Sequence, residues 1–143
     1  MRPIVCATRG GEASRRTQER AIALAKERGA ELIFLCVVDP NFVKPTNKAL
    51  AAALRSELKR LGRALLYIAQ ARAKEQGVDA KAVVRSGPVR DTIEAYLREV
   101  DAGTLVIGAP RGETTLQALD PGQVNLLAED VKRELGIEIV IVV

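Results

Sequence analysis

Histidine and tryptophan are absent from the chain, and aromatic residues make up only 3% of it, as two tyrosines and two phenylalanines. Without an imidazole the protein lacks the commonest general base and the commonest side-chain ligand for transition metals. Catalysis would have to rest on carboxylates, and no metal is expected beyond a Mg²⁺ carried in with a nucleotide. The scarcity of aromatics removes the stacking platforms that single-stranded nucleic acid needs, so nucleic acid is not an expected partner. No stretch approaches the roughly 18 consecutive apolar residues of a membrane span. The opening segment MRPIVCATRGG has too short an apolar stretch for a signal peptide before its glycines. A soluble cytoplasmic protein without membrane contact is expected. Cys6 and Cys36 are the only cysteines, and no CxxC occurs. Each lies inside an apolar run, IVCAT or IFLCVV, where a free thiol behaves as a small hydrophobe, so buried core thiols are expected rather than a disulfide.

What is present suits a single domain spanning residues 1–143, at 15.4 kDa. The formal charge is +4, but the basic residues alternate with acids in KERGAE, RSELKR and EDVKREL, a pattern typical of solvated helix faces. Short runs rich in Val, Ile, Leu, Ala and Cys recur at PIVCAT (3–8), ELIFLCVV (31–38), AKAVVR (80–85), TLVIG (104–108) and IEIVIVV (137–143). Segments of helical period separate them. The first carries Thr17, Ala21, Leu24 and Ala25. The second carries Leu50, Leu54, Leu58, Leu61, Leu65 and Ile68, a stripe that Arg72 continues, and this predicts a packed face made mostly of leucine. The third carries Val89, Ile93, Leu97 and Val100, and the fourth Val124, Leu127, Ala128, Val131 and Leu135.

Strict alternation of strands and helices predicts an α/β fold: one doubly wound, five-stranded parallel sheet in the order 3-2-1-4-5 with four helices. The first, second and fourth runs are almost continuously apolar and belong in the middle, whereas AKAVVR alternates and carries charge, as an edge strand should. KERGAE and KEQGVD each end a helix with a basic residue followed by a glycine able to adopt positive φ. In such sheets a ligand crevice opens at the carboxyl ends of the strands where their order reverses. The loops facing it are TRGGEAS (8–14) and GAPRGETTLQALDPGQ (108–123), and both carry glycine. Phosphate binding needs backbone N–H groups free to approach oxygen and preferably a helix N-terminus. Gly108, Gly112 and Gly122 supply that anatomy, although neither a Walker GxxxxGK[ST] nor a GxGxxG after the first strand is present.

The chain resembles a universal stress protein of the UspA type over its full length. Nucleotide-binding members of that family end the fourth strand with G-x2-G-x9-G-[ST], and nine residues separate Gly112 from Gly122 here. TRGGEAS is similar to the family's T-D-G-S-x-x-S, and RSGPVRDTI (85–93) to its G-x-P segment. The resemblance implies a UspA or adenine-nucleotide α-hydrolase-like fold, a non-catalytic role in stress response or signalling, and ATP or another adenine nucleotide as ligand. Its candidate nucleotide- or anion-binding residues are Thr8, Arg9, Gly10, Val37, Val38, Gly108, Arg111, Gly112, Gly122, Gln123 and Val124. Three features depart from the family pattern. Gly108 to Gly112 is G-x3-G, with Pro110 lacking an N–H; Gln123 replaces the final Ser or Thr; and Arg9 stands where relatives place an aspartate against the adenosine.

Other readings of the same residues stay open. Asp120-Pro121 with Gln123 reads equally as an N-cap, a proline at the first helical position and a capping box. Gly10, Gly11 and Gly112 serve tight turns as readily as phosphate. Arg9 and Arg111 suit a smaller anion held bidentately. Loss of ATP binding would leave a ligand-independent interaction module with an unidentified protein partner. IEIVIVV, left bare at a sheet edge, predicts an isologous homodimer through Ile137, Ile139, Val140, Ile141, Val142 and Val143. Hydrolysis would depend on Glu12, Glu113 or Asp120, none paired with a histidine, so the protein is not expected to be an enzyme.

Overall fold

The computed structural model describes residues 1–8, 14–39, 47–108 and 121–143, with residues 121–123 described by backbone alone. The elements alternate along the chain as β1 (Ile4–Ala7), α1 (Arg15–Arg28), β2 (Leu32–Val38), α2 (Lys48–Glu75), β3 (Ala80–Ser86), α3 (Val89–Glu99), β4 (Thr104–Gly108), α4 (Pro121–Leu135) and β5 (Glu138–Val142). All paired strands are parallel, in one sheet ordered β3-β2-β1-β4-β5. This is the expected order. Its cause is visible in burial, since every residue of β2 is buried and β3 is mostly not.

The sheet separates two cores. On one face Ile4, Cys6, Phe34, Cys36 and Val106 pack beneath α1 and α2; on the other Val5, Leu35, Leu105 and Ile107 pack beneath α3 and α4. Such two-sided burial is what makes the central strands read as unbroken apolar runs. Both cysteines are buried and free, and burial pushes the Cys6 thiol far above its ordinary range, so it serves as a small apolar group and not as a nucleophile. Gly29 closes α1 at φ 63°, donating its N–H to the Ala25 carbonyl, and Gly77 follows α2 at φ 78°. Both are the left-handed helix ends that the basic-then-glycine pattern calls for.

The packed face of α2 corrects the expectation of a leucine stripe. Its buried residues are Gly62, Leu66, Ala69 and Ala73, whereas Leu50, Leu61 and Ile68 are about half exposed. Close approach is the reason. A Cβ on Gly62 would lie 3.4 Å from Cys36 Sγ and from both Val84 methyls, so the helix sits against β2 and β3 on its small residues. Leu66 is buried beside them and Leu58 packs partly against the same core, while Leu50, Leu61 and Ile68 are turned aside.

The two sheet edges are finished differently. Along β3, Lys81 pairs with Glu31 at 2.7 Å and Arg85 with Glu99 at 2.9 Å, while the Arg85 guanidinium lies 5.2 Å from the Tyr96 ring centroid. Charges of this kind blunt an edge against pairing. β5 carries its only charge at its start, Glu138, which takes a two-pronged contact from Arg28 at 2.7 and 3.3 Å. That hydrogen bond from Arg28 holds the Glu138 carboxyl below its ordinary value.

Candidate functional site

The strand order reverses between β1 and β4, and the carboxyl ends of β1, β2 and β4 lie at the same end of the sheet because the strands are parallel. Thr8 extends β1, its N–H donating to the Leu35 carbonyl at 2.9 Å. Ala7 pairs with Ile107, so Thr8 and Gly108 leave adjacent strands side by side. Because β4 and β5 are parallel, the intervening α4 runs back along the sheet and its first turn, which contains Gly122 and Gln123, starts at this end. The N–H groups of a helix's first turn are an anion's natural partners.

The candidate residues divide into three groups: those at the strand ends, those in the first turn of α4 (Gly122, Gln123 and Val124) and those outside the described residues. Thr8, Val37, Val38 and Gly108 converge at the strand ends. Val37 and Val38 are buried on opposite faces of the sheet, and Val124 is buried in the core under α3 and α4. Arg9, Gly10, Arg111 and Gly112 lie outside the described residues, as do Glu12, Glu113 and Asp120. The backbone around the site has its own constraints: Gly87, in the RSGPVRDTI segment, donates its N–H to the Val38 carbonyl at 3.0 Å and has φ 147°. Among the described residues, no three of the Asp, Glu and Cys side chains gather as a metal cluster would.

Gln18 and Arg72 are the additions that sequence reading missed. Gln18 is fully buried in α1; its Nε2 donates to Thr8 Oγ1 at 3.2 Å, and its Oε1 accepts from Arg72 Nη1 at 2.8 Å. A hydrogen-bonded chain thus runs from α2 through α1 to the end of β1. The sequence signal was present in both cases: a polar residue interrupting an apolar helical face, Gln18 beside Thr17 and Arg72 at the end of the α2 stripe. Gln18→Leu should lower stability by about 1–3 kcal/mol, because both bonds are lost and the one to Thr8 is buried. Urea unfolding would measure it, and an unchanged midpoint would show that the chain of bonds contributes nothing.

Among the C-terminal residues, Ile137 is buried in the core beneath α3 and α4 and is not available to a partner. Ile139, Val140 and Val142 are partly packed against the protein's own cores, whereas Ile141 is 39% and Val143 84% exposed. An edge contact would therefore use the β5 backbone with Ile141 and Val143. Ile137 precedes the strand and turns inward, which is why the full run 137–143 overstates the free surface.

A doubly wound parallel sheet whose strand order reverses between β1 and β4 defines a class of α/β proteins that receive ligands at a topological switch point. The universal stress protein family's model matches residues 1–124, and the chain belongs to that family. Among solved structures, a universal stress protein from Burkholderia pseudomallei is 25% identical with a TM-score of 0.65, covering 97% of this chain and 94% of that one. A universal stress protein in complex with cAMP is 24% identical with a TM-score of 0.68, covering 99% and 97%. One from Archaeoglobus fulgidus in complex with dAMP is 18% identical with a TM-score of 0.60, covering 100% and 98%. No match is found among curated proteins. No helix among the described residues is long and apolar enough to cross a membrane.

Proposed function

We propose that this protein is a non-catalytic stress-response or signalling protein that binds an adenine nucleotide, or a smaller anion, at the ends of β1 and β4. The observation that carries the reading is the placement of Thr8 and Gly108 side by side at the reversal of strand order, with the first turn of α4 starting at the same end. The fold shared with proteins solved in complex with cAMP and dAMP supports an adenine nucleotide as the first ligand to try. The bound state would be read by another protein, with a Mg²⁺ present only as the nucleotide's own. Calorimetric and thermal-shift titration with ATP, ADP, AMP and cAMP is the test. A ligand present at a hundred times its dissociation constant should add about 2.7 kcal/mol of stability. No response to any of the four at millimolar concentration would overturn the reading.

One observation favours a second reading, a homodimeric interaction module that needs no ligand. β3 is guarded by ion pairs, whereas β5 beyond Glu138 consists of Ile139, Val140, Ile141 and Val142, followed by Val143. Two-fold pairing through β5 would cover that edge. Sedimentation should show a wild-type dimer and an Ile141→Lys monomer; a monomer in both refutes the module.

A further inference from the structure

The positive charge of the protein is concentrated in one element. The 28 residues of α2 hold seven Lys or Arg against two Glu, a net +5, whereas the whole chain is +4, so everything outside α2 sums to −1. Read as sequence, these cations look interleaved with acids; folded, they share one exposed helix. Among the described residues Arg55, Lys59, Arg63 and Lys74 pair with no carboxylate, and Arg60 reaches Glu57 only at 4.0 Å. The helix also outruns its support. It is about 42 Å long, while the seven residues of β2 span about 23 Å.

Beside the cations lies an apolar stripe that the fold leaves uncovered. Leu61 is 56% and Ile68 45% exposed, and Ala64 and Ala71 are exposed between and beyond them. The spacing of three, four and three residues puts all four on one face and is the pattern of a helix-docking seam. Small residues at alternate positions allow close helix approach. Arg60, Tyr67 and Lys74 stand roughly 60–100° around the helix from the centre of this seam and form a rim on one side of it. Glu57 and Glu75 bound the stripe at its two ends.

We propose that the stretch of α2 from Leu61 to Ala71 docks an acidic amphipathic helix of about three turns from another protein. Charge selects this occupant. A second copy of this chain would set one +5 helix against another. A bilayer surface would have to take in Glu57, which is 66% exposed at the edge of the stripe. Duplex DNA has no use for an apolar seam at the centre of the contact. A short helix fits between Glu57 and Glu75, places its leucines against Leu61 and Ile68, and offers carboxylates to Arg60, Arg63 and Lys74.

The test is selection from a displayed library of helical peptides about four turns long, randomised at charged and apolar positions, on the full-length protein. The selected peptides should be rich in Asp and Glu and carry apolar residues at i, i+3, i+4 and i+7. Their affinity should fall about tenfold or more for Arg60→Glu/Arg63→Glu, fall likewise for Leu61→Asp, and weaken with added salt. These side chains are exposed, so unchanged circular dichroism and melting are expected of both variants. Phosphatidylserine vesicles and duplex DNA should not displace the peptides. No enrichment, peptides without an acidic bias, or binding that survives Leu61→Asp overturns the proposal. Displacement by the vesicles or by DNA reassigns the face to a membrane or to nucleic acid.

Discussion

Phe34→Ala is expected to lower the free energy of unfolding by about 3–5 kcal/mol, a large part of the 5–15 kcal/mol that holds a domain together. Phe34 is fully buried at the middle of β2, between Cys6 of β1 and Ala82 of β3 in register. Among the described residues it is the one aromatic side chain in the core beneath α1 and α2, which otherwise relies heavily on Cys6, Cys36, Ala21, Ala25, Ala69 and Ala73. Residues this small and this tightly seated cannot swing into the vacated volume. The cavity therefore persists, and its cost adds to the lost transfer energy. Phe34→Leu retains most of the volume and should lose less than about 1.5 kcal/mol. Urea unfolding of both variants measures the difference. A loss below about 1 kcal/mol for Phe34→Ala would mean that α2 closes onto the sheet after all.

The same small residues explain why the fold was legible in the sequence and the seating of α2 was not. Strand order followed from which runs are apolar on both faces, a property that β1, β2 and β4 display without interruption and β3 does not. Helix ends followed from Gly29 and Gly77, where a positive φ leaves little choice of residue. Hydrophobic periodicity, however, ranks positions by size and polarity, and it cannot see distance. At Gly62 the sheet comes so near that an added Cβ would already touch Cys36 and Val84, so the strongest apolar signal marks the flank of α2 and not its base.

The candidate site was legible in part for a related reason. Topology alone brings Thr8, Val37, Val38 and Gly108 to one end of the sheet, and topology was readable. Side-chain contacts across elements were not. Gln18 meets Thr8 from ten residues away and Arg72 meets Gln18 from fifty-four, separations at which a local pattern marks the polar residue but cannot name its partner. Ile137 shows the converse. It belongs to the apolar run of the last strand in sequence but to the core beneath α3 and α4 in space, on the same face as Ile139, which packs partly against that core.

Gly108 admits two roles, and a pair of substitutions separates them. A Cβ at this position would stand 2.7 Å from Thr17 Oγ1, closer than side-chain contacts allow. Thr17 is buried in α1, so its rotamer, the helix or the end of β4 must shift. Gly108→Ala should therefore cost about 1–3 kcal/mol of stability. Thr17→Ala in the same chain removes the hydroxyl and leaves Cβ as the nearest Thr17 atom that remains, 3.8 Å away, an ordinary contact. The two substitutions should then couple, the double variant recovering about 1 kcal/mol or more relative to the sum of the singles. Nucleotide affinity supplies the second axis. If Gly108 exists only to admit α1, binding returns with stability in the double variant. If its backbone must also approach a phosphate, as the adenine-nucleotide reading requires, stability returns while affinity stays down, since the added methyl still stands at the mouth of the crevice. Additive losses in stability would show that the contact with Thr17 is not what makes glycine necessary at the end of β4.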